Sequence, residues 1–373
     1  MDGVASSGMK LDGISTDLAR EEDADKILEI NRLEYGADDV LATRTDFVWR
    51  YARNPAGQAI VPVIRDEHND VIGFIWIVPM RIRVKAQDYL VATGTNLVIH
   101  PKYRDTFAYT KLIRRFQEAL KDNDVPLHFS FVSEETFRRR REQDPRTVST
   151  ISFLLKPLDF DALSRTYLAA GWQRFALSWA GRIASPFLFR RRLSASSGQV
   201  SVRTAAEFDE GFDQFWYSVR DKYPLMVIRD RAFLSWRFAS VSGRQYQVLM
   251  AWSHDQMLGY AVLGSATVRG VKTGLIMDLL IADGPLAGAA SVGLLAEAET
   301  TFRSQGMSLA GGLVPSFASE YRAMRRAAYA DLPQAFMPRA FRFAYFLHSS
   351  VQRDLISLAA QDWFVTLADY ESF

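Results

Sequence analysis

The feature that most constrains this chain is an ordered internal repeat. Trp49-Arg50-Tyr51 recurs as Trp236-Arg237-Phe238, 187 residues later. Further along, Asn96–Ile99 recurs as Asp278–Ile281 at almost the same offset, and a glycine between the two motifs recurs as well. Because the order of the motifs is kept, the sequence predicts two copies of one fold, each about 180 residues long.

Each copy shows the same succession of local patterns. A charged, helically spaced segment precedes the Trp-Arg motif, and two strands joined by a polar turn follow it. A strongly apolar strand, a helix and another strand complete the copy. This succession predicts a mixed α/β (α+β) fold, with a central mixed sheet flanked by helices in each of two tandem domains.

We expect an N-terminal domain over residues 1–161, a connecting segment over residues 162–198 and a C-terminal domain over residues 199–373. The segment between the copies, Ala162–Leu193, carries six arginines, several aromatic residues and no acidic residue, and Ser194–Gly198 has the composition of a linker. We interpret the segment as packing between the domains, with contact to an anionic membrane surface or an acidic carrier protein as the alternative.

Composition excludes several classes of function. The chain has no cysteine, which excludes disulfide scaffolds, thiolate zinc sites and thiol nucleophiles, and its five histidines have no close ligand spacing, so no metal is expected. The net charge of +2 indicates little about partners, and because no stacking-aromatic motif is present, nucleic acid is not expected as a partner. No apolar run is long enough for a membrane span and no secretory signal is evident, so we expect a cytoplasmic protein.

The first copy resembles the GNAT superfamily of acyl-CoA-dependent N-acyltransferases. The resemblance rests on Asn96–Ile113, which reads as an apolar strand, a Pro-x-Tyr-Arg turn and a helix, and on Phe47–Gly57. With the repeat, it extends to nearly the whole chain as a tandem GNAT protein, whose second copy ends in the expected closing strand Asp362–Asp369. The resemblance implies that backbone N–H groups at the turn and the helix N-terminus bind the donor's pyrophosphate.

The residues that this resemblance implies for donor binding form one continuous segment of the first copy: Leu97, Val98, Ile99, Tyr103, Arg104, Asp105, Thr106, Phe107, Ala108 and Tyr109. Arg104 is the expected phosphate contact, with a solvated arginine as the alternative. The segment departs from the family pattern because Phe107 stands where the family has glycine. The second copy has Asp283 in the equivalent loop and no arginine, so donor binding is expected in the first copy.

Three residues are candidates for catalysis. Asn96 and Asp278 occupy the same position of the two apolar strands, where a polar group is costly unless it is paired. Asp278 is a candidate general base, with a structural carboxylate as the alternative. Tyr321 is a candidate acid for the leaving thiolate, with ordinary helix packing as the alternative.

The expected activity is N-acyl transfer from acetyl-CoA or another acyl-CoA to a small-molecule amine. The alternative is an inactive GNAT-like binding or scaffold protein, because both phosphate loops depart from the family pattern. An acyl carrier protein is a second possible donor. Phe107 must turn away from a pyrophosphate or fill part of its site, with a side chain that points into the core as the alternative. The run Arg138–Arg141 suits an acidic partner, with a solvated helix face as the alternative.

Overall fold

The structure is a computed structural model that describes residues 13–104, 107–167, 199–240, 244–332, 340–348 and 353–370. Asp105 and Thr106 of the predicted donor loop lie outside the described residues. So does most of the basic segment between the copies, residues 168–198.

The first half of the chain supplies seven strands and five helices among the described residues. They are β1 (Ser15–Leu18), α1 (Ala24–Tyr35), α2 (Arg44–Ala52), β2 (Pro62–Arg65), β3 (Val71–Val84), β4 (Gln87–Ile99), α3 (Ala108–Asp122), β5 (Leu127–Phe131), α4 (Glu134–Gln143), β6 (Val148–Thr150), β7 (Phe153–Pro157) and α5 (Phe160–Tyr167). Lys85 and Ala86 form the two-residue turn between β3 and β4, and both have a positive φ. Two-residue turns with positive φ are favoured in hairpins because their twist matches that of the paired strands.

The second half repeats this order, with one additional short strand early and another late. Its elements are β8 (Ser201–Ala205), α6 (Glu210–Val219), β9 (Leu225–Val227), α7 (Arg231–Arg237), β10 (Gln247–Ser253), β11 (Gln256–Val268), β12 (Val271–Ile281), α8 (Ala287–Ser304), β13 (Leu309–Leu313), α9 (Ser319–Arg326), β14 (Ala330–Asp331), β15 (Arg342–Leu347), α10 (Arg353–Ile356) and β16 (Trp363–Phe364). In the described residues no helix is long and apolar enough to cross a membrane.

The two halves exchange one strand with each other. The first sheet has the order β1-β2-β3-β4-β5-β15-β6, and the second has the order β8-β10-β11-β12-β13-β7-β14. β15 of the second half pairs antiparallel with β5, and β7 of the first half pairs antiparallel with β13. The sheets therefore have the same topology, but each is completed by a strand from the other half of the chain.

The strand register confirms the repeat found in the sequence. Gly73 on β3 faces Ile99 on β4, and Gly259 on β11 faces Ile281 on β12. The two Trp-Arg motifs meet at the boundary between the halves, where the rings of Trp49 and Trp236 stack with centroids 5.0 Å apart. Each indole N–H donates to the other tryptophan's carbonyl, at 2.7 and 3.1 Å, so the motifs are related by an approximate twofold axis.

One sequence-based expectation about the second half is wrong. Asp362–Asp369 is not a closing strand, because only Trp363–Phe364 within it forms a strand, and this strand pairs parallel with β9, which in turn pairs with β3. Leu367–Asp369 is a 3-10 helix capped by the side chain of Thr366. This segment carries the C-terminal part of the chain from the second half across to the first.

Candidate functional site

The first sheet opens between its two parallel strands. β4 pairs with β5 only at Ala92 and Thr93, although β4 continues to Ile99. Asn96 has a φ of 54°, and the register between β3 and β4 shifts beside it, which marks a bulge in β4. From residue 94 onward, the β5 side of β4 therefore has no strand partner among the described strands.

A cavity of about 660 Å³ occupies this opening. Its walls come from both halves of the chain: the β4 bulge, the loop after α1, the starts of α3 and α4, and two segments of the second half. The lining residues are Glu34, Tyr35, Asp39, Val40, Leu41, Ile75, Thr93, Gly94, Thr95, Asn96, Leu97, Tyr109, Phe131, Val132, Ser133, Thr136, Arg244, Asp369 and Tyr370. A volume of this size accommodates a small ligand.

Arg237 holds the C-terminal segment in this wall. Its guanidinium donates to the carbonyl oxygens of Ala368, Leu367 and Tyr370, at 2.6, 3.2 and 2.8 Å. The arginine of the second Trp-Arg motif thus positions residues that line the cavity of the first half. Trp236, the preceding residue, anchors the same helix to the first half through Trp49.

A buried charge cluster stands behind Asp369. Arg229 donates to Asp369 Oδ2 at 2.6 Å and to Asp278 Oδ2 at 3.0 Å. Thr366 and Tyr260 donate their hydroxyl protons to Asp278, while Asp369 Oδ1 has no hydrogen-bond partner among the described residues. Burial raises the pKa of Asp369, with repulsion from Asp278 adding to the shift, although Arg229 opposes it. Asp369 therefore holds a proton more readily than an ordinary aspartate.

Arg104, the predicted phosphate contact, is bonded to other groups of the protein. Arg104 donates from Nε to the carbonyl of Ile99 at 3.0 Å and forms an ion pair with Glu34. Arg104, Glu34 and Tyr109 line a second pocket of about 330 Å³, which shares residues with the main cavity. A diphosphate at the start of α3 would have to displace Glu34 from Arg104. Phe107 is 61% exposed, so the expectation that it could point into the core is wrong.

The equivalent opening in the second half is filled by side chains. Glu320 on α9 is fully buried, and it accepts a hydrogen bond from the backbone N–H of Ile281 at 3.1 Å. Lys222 donates to Glu320 at 2.8 Å, and the hydroxyls of Tyr223 and Ser319 donate to its other oxygen. Ile281 is the counterpart of Ile99, so a carboxylate of the chain itself occupies the end of the strand that is open in the first half.

The structure brings only some of the predicted residues together. Among the residues predicted for donor binding, Leu97 and Tyr109 line both pockets, while Val98, Ile99 and Arg104 line the smaller one. Tyr103 donates instead to Asp66 at 3.1 Å, and Ala108 is buried in the core.

The catalytic candidates are separated from one another. Asn96 lies in the bulge and lines the cavity, where Tyr35 donates to its side chain at 3.3 Å. Asp278 is fully buried and accepts from three side chains, which fits the structural alternative rather than a base that meets a substrate. Tyr321 donates to Asp331 at 2.7 Å and is not among the residues lining the cavity.

Sequence reasoning missed several residues of the cavity wall that carry a charge or a hydroxyl, among them Glu34, Arg244, Asp369 and Tyr370. The second Trp-Arg motif was the available signal for the last two, since Arg237 binds their segment.

Several solved structures have a similar fold. A Saccharomyces cerevisiae N-myristoyltransferase with bound myristoyl-CoA aligns with a TM-score of 0.59 at 14% identity, covering 91% of this chain and 83% of that one. A GCN5-related N-acetyltransferase from Anabaena variabilis aligns with a TM-score of 0.54 at 12% identity, covering 90% and 72%. A probable N-acyltransferase from Enterococcus faecalis aligns with a TM-score of 0.55 at 10% identity, covering 90% and 71%.

No family model matches the sequence, and no curated protein matches it. At identities of 10–14%, the structural likeness establishes the fold. The chain therefore has the GNAT fold in two tandem copies, as the repeat and the segment Asn96–Ile113 predicted.

Proposed function

We propose that the protein is an N-acyltransferase that binds an acyl thioester in the opening between β4 and β5 and transfers the acyl group to an amine. One observation carries the proposal: the first half leaves this opening as a cavity, whereas Glu320 fills the equivalent opening in the second half. A tandem protein that keeps one opening clear and fills the other has the form expected for a single donor site.

The unpaired side of β4 supplies the polar groups of this site. Backbone N–H and C=O groups that have no strand partner are strong hydrogen-bonding groups, and they suit the amide-bearing arm of an acyl pantetheine. The donor supplies an activated acyl carbonyl. An N–H group of the β4 bulge would polarise that carbonyl as charge develops on its oxygen.

Asp369 is our candidate for the group that takes the proton from the amine. It lines the cavity and is nearly fully buried, and its Oδ1 has no hydrogen-bond partner within the part of the chain that the structure describes. Its raised pKa makes it a stronger base than an ordinary aspartate, which favours proton abstraction close to neutral pH. This role replaces the one that the sequence suggested for Asp278, which lies behind Asp369 in the same cluster.

The proposed donor is an acyl-CoA. The acyl pantetheine part fits the opening, and the start of α3 with Arg104 is the place for the diphosphate once Glu34 is displaced. Acyl carrier protein is the alternative donor. The exposed Arg138, Arg139 and Arg141 on α4 form no ion pair within the described part of the chain, which would suit an acidic partner.

A matched pair of variants on α4 tests the donor site. Thr136 lines the cavity and Glu135 beside it is exposed, so Thr136→Trp fills the opening while Glu135→Trp adds the same ring outside it. We expect calorimetry with a panel of acyl-CoAs to show binding that Thr136→Trp weakens at least tenfold and Glu135→Trp leaves intact. Equal affinity in both variants would refute the placement.

Transfer assays then separate the functions. Product formation with an amine panel supports the transferase, whereas donor binding without turnover supports a binding protein. Rates with matched acyl-CoA and acyl carrier protein at low and high salt identify the donor, because a carrier-protein advantage built on α4 arginines would shrink as salt rises.

A further inference from the structure

Arg244 is a mostly buried cation in the wall of the cavity. Its side chain is 11% exposed and lies over the ring of Trp49, 5.4 Å from the ring centroid. Within the described residues its hydrogen bonding is limited to Nη1, which donates to Asp46 at 3.0 Å, and Nε has no partner. A guanidinium carries five N–H donors, so most of its capacity is unused by the protein.

Arg244 shares its carboxylate partner with a second arginine. Arg50 donates to the other oxygen of Asp46 at 3.3 Å. Among the described residues, Arg237, a third arginine of this region, is bonded to carbonyl oxygens and to no carboxylate. Burial lowers the pKa of Arg244, and repulsion from Arg237 and Arg50 adds to the effect while Asp46 opposes it. An anion beside Arg244 would offset this repulsion.

Asp369 gives the same cavity a negative pole. Its cluster contains two carboxylates, Asp278 and Asp369, around the single guanidinium of Arg229. A cavity with a partly unsatisfied arginine at one place and a partly unsatisfied carboxylate at another is complementary to a ligand that carries both charges.

We propose that the acceptor amine carries an anionic group, a carboxylate or a phosphate, and that Arg244 binds this group while Asp369 faces the amine. This inference rests on the proposed transferase function and specifies its acceptor. Arg244 would act as a specificity-determining residue, because an amine without the anion would leave the guanidinium desolvated and unpaired.

The same cation could instead bind a phosphate of the donor. The position of Arg244 favours the acceptor: it packs on α2 through Asp46 and Trp49, whereas the expected diphosphate site lies at the start of α3 beside Arg104. Measuring CoA affinity alongside acceptor affinity distinguishes these two sources of the anion.

The test uses pairs of amines that differ in the anionic group: glycine and glycinamide, 4-aminobutyrate and its amide, and phosphoethanolamine and ethanolamine. Binding to the full-length protein is measured by calorimetry with and without CoA, so the result does not depend on turnover. Arg244→Gln is compared with Arg244→Lys, which keeps the charge but loses the planar fork, and with Arg114→Gln on the exposed face of α3.

We expect the anionic member of at least one pair to bind about tenfold tighter or more, as a charge-assisted hydrogen bond allows. Arg244→Gln should abolish that preference, Arg244→Lys should reduce it, and Arg114→Gln should retain it, with CoA affinity unchanged in all three. Asp46 keeps Arg50 in Arg244→Gln, so the variant should fold, which circular dichroism checks.

Three results would overturn the inference: no pair prefers its anionic member, the preference survives Arg244→Gln, or CoA affinity falls in its place. Arg244-dependent binding of an anionic amine without acyl transfer from any donor would instead count against the proposed function alone. The two failures are therefore distinguishable.

Discussion

Replacing Glu320 by alanine tests whether the opening of the second half is held shut by a buried ion pair. Glu320 is fully buried, and Lys222 beside it is 6% exposed. Removal of one partner from a buried pair costs about 3–5 kcal/mol, because the other charge remains buried. Asp283 lies 3.5 Å from Lys222 and offers partial compensation, so we expect a loss close to 3 kcal/mol.

A second substitution separates the ion pair from simple loss of packing. Lys222→Met removes the charge that Glu320→Ala leaves behind, and apolar replacement of a whole buried pair is often close to neutral. The double variant should therefore lose about 2–3 kcal/mol less than the sum of the two single losses. Glu297→Ala, at an exposed site on α8, is the control and should change the stability by less than about 0.5 kcal/mol.

These free energies are measured by urea unfolding at 25 °C, monitored by circular dichroism. They can be compared when the free energy of unfolding depends on urea concentration with the same slope in all the variants. A loss below about 1 kcal/mol for Glu320→Ala would refute the reasoning, since a loss that small is typical of a surface substitution and removal of one partner of a buried pair should cost more. Additive losses in the double variant would equally refute it, because the two charges would then not depend on each other.

Three further outcomes are expected. Gly274→Ala should cost about 1–3 kcal/mol in urea unfolding because a β-carbon there would overlap the ring of Phe302, whereas Gly288→Ala, with open space around it, should not destabilise. Burial beside a second histidine lowers the pKa of His128, so the unfolded state binds a proton below about pH 6.5 that the folded state does not. The free energy of unfolding should therefore fall from pH 7 to pH 5, and it should fall less steeply in His128→Phe. Asp369→Asn should lower kcat by about 10²–10⁴-fold and remove the acidic limb of the pH–rate profile. In the wild type that limb should lie above the pH at which an ordinary aspartate titrates, because the pKa of Asp369 is raised. An unchanged profile would exclude Asp369 as the base.

The fold was largely predictable because its signals are local and repeated. The Trp-Arg motifs and the two apolar strands kept their order, and the register of Gly73 with Ile99 and Gly259 with Ile281 confirms the correspondence. The exchange of β7 and β15 between the sheets was not predictable. A short strand such as β15 carries the same alternating pattern whichever sheet it joins, so its partner depends on tertiary packing. The division into residues 1–161, 162–198 and 199–373 remains a prediction.

The site was less predictable than the fold because its charged residues come from distant parts of the chain. Asp278 stood out in the sequence as a polar residue in an apolar strand, but its partner Arg229 lies 49 residues away, and it is that pairing which favours the structural alternative. Asp369 and Arg244 carried no local signal of function. They reach the cavity of the first half only because Arg237 and Trp49 fix the adjoining segments.

The most direct test of the account is a crystal structure of the protein with a non-hydrolysable acyl-CoA thioether at saturating concentration. We expect the acyl pantetheine between β4 and β5, beside Gly94 and Asn96, with Glu320 still bonded to Ile281 in the second half. We also expect one ligand per chain. A ligand found between β12 and β13 with Glu320 displaced, and none beside Asn96, would contradict the central claim.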